Sequence, residues 1–550
     1  LANGARRAFC VPGESYLDLL DAFCDLADRF DLVVCRNEAG AANMAEAHGK
    51  LTGRPGLALV TRGPGATHAA IGLHTAMQDA TPLVLVVGDV ERASTGHRAF
   101  QEVDYASMFA SLAKGVLRLD DPARVWEIVG HAFALAVAGR PGPVVITVPE
   151  DVFALPCDAP GGEAAPPCDA PGREAALAVR HSASDDDLCD LLAELARARR
   201  PLVLAGGGAW SAEAAEALGR FAAAHALPVA VQFRCQDYLD NEHPSYIGEL
   251  GLGLDPAFAA DVRDSDVIFV LGAELNDPTT NGYTLFDAPQ ARQRIVQVSP
   301  APEELGAVYR PDFALAADPR AAIVRLARLP LPGHADWSAR TATLRQSALA
   351  RRTLVPARRG VDLGIVVETM QRRLPDDAIV VTDAGNFTIW VRRHFRYRKY
   401  GTQLSPRSGA MGYGLPAAIA AKLHHPERAV VCFSSDGCLG MAPTELATAV
   451  ARELAIVLVV VDNGQFGTIR MHQERRFPGR PIATELNNPD FAALAHAYGA
   501  NGENLDRTED FEEAFERALA ANGPALIALA TDPQALTPTM YAQPAAGQVK

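Results

Sequence analysis

The strongest constraint on this chain is a rhythm in which short runs of β-branched and aliphatic residues alternate with longer segments of helical character. The first such block carries Leu32–Cys35 (LVVC), Leu57–Val60 (LALV), Leu83–Val87 (LVLVV) and Val144–Val148 (VVITV). Apolar runs of this length between helical segments mark βαβ units, whose strands are buried on both faces of a parallel sheet. A second block repeats the rhythm at Leu202–Ala205, Val229–Phe233, Val267–Leu271 and Ile295–Val298, and a third at Ile379–Thr382, Ala429–Phe433, Ile456–Val461 and Ala525–Leu529. The predicted fold class is therefore α/β, with three doubly wound parallel-sheet domains. Its expected bounds are 1–154, 181–345 and 346–535, with a linker at 155–180 and a tail at 536–550. The linker holds a tandem duplication, PCDAPGGEAAP from Pro156 followed at once by PCDAPGREAAL from Pro167, which has little to bury and reads as exposed chain. The opening LANGARRAFCVPG reads as the tail of a helix, so the natural N-terminus is expected upstream of Leu1.

Composition excludes several function classes. Lys and Arg number 51 against 66 Asp and Glu, a net charge of −15 that argues against a nucleic-acid partner. The longest apolar runs, such as Ala455–Val461, fall well short of the ~20 residues a membrane helix needs, so no membrane partner is expected. Nine cysteines are scattered without any CxxC pair, which fits reduced thiols and a cytoplasmic location.

The most informative segment runs from Ala429 to Gly467. Asp436 follows one apolar run and Asn463 follows the next, so both are expected at the carboxyl ends of successive parallel strands, with Asp436-Gly437 as a tight loop. Ligands of open α/β sheets bind at that edge. One carboxylate and one amide oxygen there form a sensible partial ligand set for Mg²⁺. Taken singly, Asp-Gly and Asn-Gly read equally well as turns. Likewise Glu38, after a buried-looking run and before an Ala-rich helix, could be an ordinary first-turn acid.

The 25 residues between Gly437 and Asn463 separate these readings. Ser435-Asp436-Gly437 … Asn463 resembles the cofactor motif of the thiamine diphosphate enzymes, Gly-Asp-Gly followed at a set interval by Asn. The resemblance implies that Asp436, the Asn463 side chain and the Gln465 carbonyl hold Mg²⁺, which holds the diphosphate, with Ser435, Gly437, Cys438 and Gly467 in the surrounding loops. Ser435 departs from the usual first glycine, and Cys438 stands where a hydroxyl is common. Asp383-Ala384-Gly385-Asn386-Phe387 is similar to the family's other diphosphate loop, which makes Gly385, Asn386 and Phe387 further cofactor-binding candidates. Cys35–Ala76 is a second match, and it implies that Glu38 hydrogen-bonds the aminopyrimidine ring and starts the proton transfer that activates the thiazolium. Ser408–Leu423 resembles the aminopyrimidine-gripping stretch of the acetolactate synthase group. By that likeness the Gly409 carbonyl and Met411 N–H bond the ring, while the Met411 side chain wedges the cofactor; on its residues alone, Met411 could equally be core. Ala99–Val116 is similar to that group's active-site loop, implying that Gln101 reaches the reacting carbon and that Phe100 and Lys114 line the pocket. His68, His74 and His472 are the pocket histidines to watch.

By this resemblance the three domains are pyrimidine-binding, central and diphosphate-binding. The implied activity is a thiamine diphosphate- and Mg²⁺-dependent 2-oxo acid decarboxylase or carboligase resembling acetolactate synthase. Alternatives are an aldehyde lyase or cyclic-diketone hydrolase of the same superfamily, or an inactive cofactor-binding regulatory homologue. The expected partners are a small 2-oxo acid or related carbonyl compound and further copies of the chain, in a homodimer or homotetramer with active sites shared between subunits. Two departures weigh against FAD: Glu274 and Pro278 stand where that group carries arginines, and a carboxylate cannot replace a guanidinium that grips an anion. The Gly206–Gly208 triplet survives, although flavin-free relatives have it too. His472 stands in the place of the group's tryptophan.

Overall fold

The computed structural model describes residues 1–157, 181–208 and 210–542, so the duplicated segment beyond Cys157 and the end of the expected tail lie outside the described residues. Three six-stranded, wholly parallel sheets follow one another along the chain. The first contains Arg7–Cys10, Asp31–Val34, Gly56–Val60, Leu83–Asp89, Gly115–Arg118 and Pro143–Pro149. The second contains Pro201–Ala205, Val229–Gln232, Tyr246–Leu250, Val267–Leu271, Arg294–Ser299 and Phe313–Ala316. The third contains Ile379–Thr382, Gln403–Leu404, Val430–Ser435, Val457–Asp462, Asn501–Leu505 and Ala525–Ala530. No helix of the described residues is long and apolar enough to cross a membrane.

Strand order decides where each sheet can bind. Numbered along the chain within each sheet, the first and third share the order 2-1-3-4-6-5, whereas the central one runs 3-2-1-4-5-6. In such sheets the crevice opens at the carboxyl ends of the two strands where the winding reverses. For the third sheet those strands are Ile379–Thr382 and Val430–Ser435, which pair directly. Their ends deliver the Asp383–Phe387 loop and the Ser435–Gly437 turn side by side.

The chain opening needs correction. Arg7–Cys10 is an inner strand, with Cys10 in register with both Val34 and Leu59, and not the tail of a helix. Three of its four side chains are buried, which a strand between two neighbours requires and an exposed helix end does not. Asp436-Gly437 is also not a free loop, because it opens a one-turn helix, Asp436–Leu439. Ser435 caps that helix by accepting from the Cys438 N–H at 3.3 Å, the preferred role of serine at this position.

One hydrophobic core joins the first and third sheets. Helix Glu38–Thr52 starts at an Asn37 cap, whose side chain accepts from Ala39 N–H at 2.8 Å, and ends at Gly53 with φ +66°. Its Ala41, Ala42 and Ala45 share that core with Leu73 of helix Pro64–Asp79 and with Ala417, Ala418 and Ala421 of helix Gly414–His424. The small side chains permit close approach. At Gly72 an added Cβ would lie 2.4 Å from the Ala42 Cβ, with neither backbone free to give. Gly72→Ala should therefore destabilise by about 1–3 kcal/mol, the usual cost of overpacking. Gly333, which has nothing within 4 Å of an added Cβ and no left-handed backbone, serves as the control. Thermal melts of the two alanine variants check this, and an unchanged midpoint for Gly72→Ala contradicts the packing.

Candidate functional site

Two clusters of polar residues stand at the carboxyl edges of the first and third sheets. In the third, the Asp436 carboxylate is 2 % exposed and is met only by neutral donors. Oδ1 accepts from Gly437 N–H at 2.8 Å, and Oδ2 accepts from Gly464 N–H and from Asn488 Nδ2, both at 2.9 Å. Burial pushes its pKa above the usual carboxylate range, and the nearby Asp462 carboxylate adds to the effect. Asn488 Nδ2 also bonds Asp462 Oδ1 at 2.8 Å, so one amide bridges two carboxylates. Among the described residues Asp436 forms no ion pair. A buried carboxylate lacking a counter-charge and ringed by amide groups is the environment a hard cation would relieve.

Asn463 lies one residue past the adjacent strand. Its Oδ1 accepts from Gln465 N–H at 3.1 Å, and Gly464 takes φ +65°, which turns the chain back over Asp436. Gly467 opens the next helix, Gly467–Arg476. A Cβ at Gly467 would lie 2.8 Å from Asn386 Oδ1 and 3.0 Å from Asn463 Nδ2, so only glycine lets the two amides converge. The Asp383–Phe387 loop is fixed from behind. Buried Asp383 accepts from Tyr413 N–H at 2.9 Å and from Ser434 Oγ at 2.7 Å, and burial raises its pKa. Asn386 N–H donates to Thr468 Oγ1 at 2.8 Å. The Cys438 thiol is buried and donates to the Ala384 carbonyl at 3.0 Å, so it ties the two loops together. Met411 and Phe466 flank the turn, at 3.4 Å and 3.1 Å from where a Gly437 Cβ would stand. Gly409, on the same loop as Met411, has φ +72° and donates to the Pro406 carbonyl at 3.0 Å. Thus Asn386, Phe387, Met411, Ser435, Asp436, Gly437, Cys438, Asn463, Gln465 and Gly467 share one edge.

The second cluster belongs to the first sheet. Glu38 opens its helix from a site that is 9 % exposed, and its Oε2 lies 2.9 Å from His68 Nδ1. A Cβ at Gly65 would stand 3.1 Å from Glu38 Oε1. Gln101 sits in the left-handed region at φ +65°, unusual for a side-chain-bearing residue. Its backbone packs on Gly63, where a Cβ would come within 2.7 Å of the Gln101 carbonyl. Glu38, His68 and Gln101 therefore gather around the 61–65 loop, with Phe100 exposed beside them. His74 is on the same helix as His68, one to two turns further along.

Other expectations part from the structure. Lys114 does not line this pocket, because its ammonium donates to the Ala138 and Arg140 carbonyls at 2.5 and 2.8 Å. Burial and the nearby Arg140 lower its pKa to about 8. His472 points into solvent from helix Gly467–Arg476 and joins neither cluster. Asn488 and the Glu38–His68 pairing were not apparent from sequence. Asn488 lies in an irregular Asn-Asn-Pro segment, and nothing in that local pattern announces contact with Asp436.

The central sheet's crevice, at the ends of Pro201–Ala205 and Val267–Leu271, is filled by protein. A Cβ at Gly207 would lie 2.1 Å from the Gly272 carbonyl, and one at Gly208 2.0 Å from the Ala80 carbonyl. The Gly206–Gly208 triplet therefore serves close backbone packing here. Glu274 pairs with Arg140 at 2.9 Å, and Glu304 does so at 2.8 Å. Burial and the neighbouring Glu274 raise Glu304 to about 7. Two carboxylates at this edge are a poor setting for a dinucleotide diphosphate.

Among the described residues, no hydrogen bond or ion pair joins Glu38, His68 or Gln101 to Asp436, Asn463 or the 383–387 loop.

Comparison with known proteins agrees with this geometry. Residues 1–108, 188–326 and 383–529 match, in order, the N-terminal TPP binding domain, the central domain and the C-terminal TPP binding domain of thiamine pyrophosphate enzymes. The chain is 30 % identical over 533 residues to the acetolactate synthase isozyme 2 large subunit of Escherichia coli, covering 96 % of this chain and 94 % of that protein. It is 32 % identical to the acetolactate synthase large subunit of Parasynechococcus marenigrum, covering 96 % and 85 %. A third relative, from Lactococcus lactis, is 31 % identical over 92 % of this chain and 86 % of its own length. The chain belongs to the thiamine pyrophosphate enzymes, in the group related to acetolactate synthase large subunits.

Proposed function

We propose that this thiamine-diphosphate-dependent enzyme decarboxylates a small 2-oxo acid and joins the remaining fragment to a second carbonyl compound, with Mg²⁺ anchoring the cofactor. The Asp436 carboxylate carries the reading: it is buried, unpaired in charge and surrounded by amide groups at the switch point of the third sheet. Asp436 and Asn463 would supply two oxygens to Mg²⁺, and the Gln465 carbonyl a third, leaving positions for diphosphate and water. The 383–387 loop would hold the diphosphate, and Met411 would fix the ring system. When bound, thiamine diphosphate supplies the nucleophilic carbon and the electron sink for the cleavage.

The chain's own residues carry the proton traffic. Glu38 stands in a nearly closed site where a carboxyl can exchange a proton with a ring nitrogen, and His68 at 2.9 Å restrains its orientation. Gln101, fixed in a strained backbone conformation at the neighbouring loop, would orient a substrate carbonyl. Because the Glu38 and Asp436 clusters lie on different sheets, with no hydrogen bond or ion pair between them among the described residues, we propose that a complete site combines Glu38 of one chain with Asp436 of a second, in a homodimer or a larger even assembly.

Asp436→Ala should abolish Mg²⁺-dependent binding of thiamine diphosphate, since a lost carboxylate is poorly replaced in an octahedral site. Calorimetric titration checks this, and unchanged affinity would place the metal elsewhere. Glu38→Gln should bind the cofactor but lower turnover by ~10²–10⁴-fold, the usual worth of general acid–base assistance. Full turnover in that variant would remove Glu38 from the mechanism. Activity itself is tested by mass spectrometry of products after offering pyruvate, glyoxylate and aromatic 2-oxo acids singly and in pairs. The expected result is CO₂ with a ligated hydroxy-ketone product, and no release of CO₂ from any member contradicts decarboxylation.

A further inference from the structure

A cleft of about 560 Å³ opens between the Tyr246–Leu250 edge of the central sheet and the third domain. Its volume is that of a small-molecule site. Five arginines line it, Arg351, Arg352, Arg392, Arg393 and Arg475, against two carboxylates, Glu249 and Asp255. This excess of positive charge is conspicuous on a chain whose net charge is −15. Both carboxylates are already engaged. Glu249 Oε2 accepts from Arg392 Nε at 2.7 Å, and Asp255 caps helix Pro256–Arg263 by accepting from Ala257 and Phe258 N–H.

Four of the five arginines are held in place before any ligand arrives. Arg392 and Arg393 lie three and four residues after Ile389 on helix Thr388–His394, so all three face the cleft from one side. Arg351 stacks 4.3 Å over the Phe258 ring and donates to the Ile247 carbonyl at 2.7 Å. Arg393 Nε in turn donates to the Arg351 carbonyl at 2.5 Å. Arg475, near the end of helix Gly467–Arg476, is exposed and makes no ion pair among the described residues. It stands eight residues beyond Gly467, about 12 Å along that helix, whereas Ile389 lies two residues past Phe387, so one wall of the cleft adjoins the loop assigned to the cofactor diphosphate. Leu252, Leu254 and Ile389 supply an apolar surface between the charges.

We propose that this cleft binds an organic polyanion of the nucleoside diphosphate kind, with phosphates on Arg393 and Arg475 and the organic body on Leu252, Leu254 and Ile389. Guanidinium forks match phosphate oxygens in pairs, and holding Arg393 in advance lowers its share of the ordering cost of binding. A long nucleic acid does not fit the same charge, since it would extend past the cleft along a chain of net charge −15.

The test is calorimetry on enzyme saturated with thiamine diphosphate and Mg²⁺, titrated with ADP in one arm and inorganic pyrophosphate in another. ADP should bind once per chain without displacing the cofactor, and more tightly than pyrophosphate. Arg393→Gln combined with Arg475→Gln should weaken ADP by about tenfold or more, equivalent to ~1.4 kcal/mol. Cofactor affinity and melting temperature should stay unchanged. Arg475→Gln alone, at an exposed position, should weaken ADP in the same direction and guards against a folding defect in the double variant. Four results would each overturn the proposal: no ADP binding to the saturated enzyme, ADP that merely displaces the cofactor, equal affinity for pyrophosphate, or equal ADP affinity in the arginine variants. Failure of thiamine diphosphate to bind at all would instead count against the cofactor assignment.

Discussion

Everything in the arrangement of this chain depends on the close packing of small residues between helices Glu38–Thr52, Pro64–Asp79 and Gly414–His424. Alanines and glycines bury little area each, so their value lies in how near they let the backbones come. That nearness brings polar groups across the junction. Tyr413 donates its hydroxyl to Glu46 at 2.7 Å, Lys50 pairs with Glu46 at 3.1 Å and also with Asp79, and Ser408 meets Thr75 at 3.2 Å. Removing one partner of such a buried set typically costs ~3–5 kcal/mol, because the other charge is stranded. The first and third sheets are thereby fixed in one orientation within a chain, and their binding edges with them.

Fixing the two edges also fixes their separation. Glu38 and His68 lie on one, Asp436 and Asn463 on the other; the Arg36 and Asn37 N–H groups donate to Glu445 of the third domain at 3.1 and 3.0 Å, but among the described residues no hydrogen bond or ion pair joins the two pairs themselves. The two sheets share a strand order, so each presents its switch point in the same way. The central sheet has the strand order of dinucleotide-binding folds, yet its glycines are spent on packing against Gly272 and Ala80, and Arg140 occupies its carboxylates. A fold able to bind is thus turned to a structural use, with its charge-rich cleft displaced to the opposite edge strand, Tyr246–Leu250.

Much of this was visible in the residues, and the gaps have physical causes. Inner strands such as Leu83–Asp89 and Val457–Asp462 are apolar on both faces and announce themselves. Edge strands do not: Phe313–Ala316 is partly exposed along its whole length, and Asn501–Leu505 contains no apolar run at all. Arg7–Cys10 misled because Arg and Ala carry helical propensity, while its strand state comes from partners 24 and about 50 residues away. That the 383–387 loop and the 435–437 turn stand together was readable because their residues are local to two paired strand ends. Asn488, 52 residues from Asp436, and the Glu38–His68 contact were not, since only the fold brings them together. Lys114 fits its sequence context as a pocket residue, but two carbonyls at a helix end claim its ammonium.

The proposed division of the site between two chains is tested most directly by mixing inactive variants. A chain carrying Glu38→Gln and a chain carrying Asp436→Ala are combined under conditions of verified subunit exchange, and decarboxylation is measured. In a two-fold assembly one composite site of each mixed pair carries neither substitution, so an equimolar mixture should regain about a quarter of the wild-type rate. A mixture no more active than the better of its two parents would contradict the shared site and require Glu38 and Asp436 of the same chain to act together.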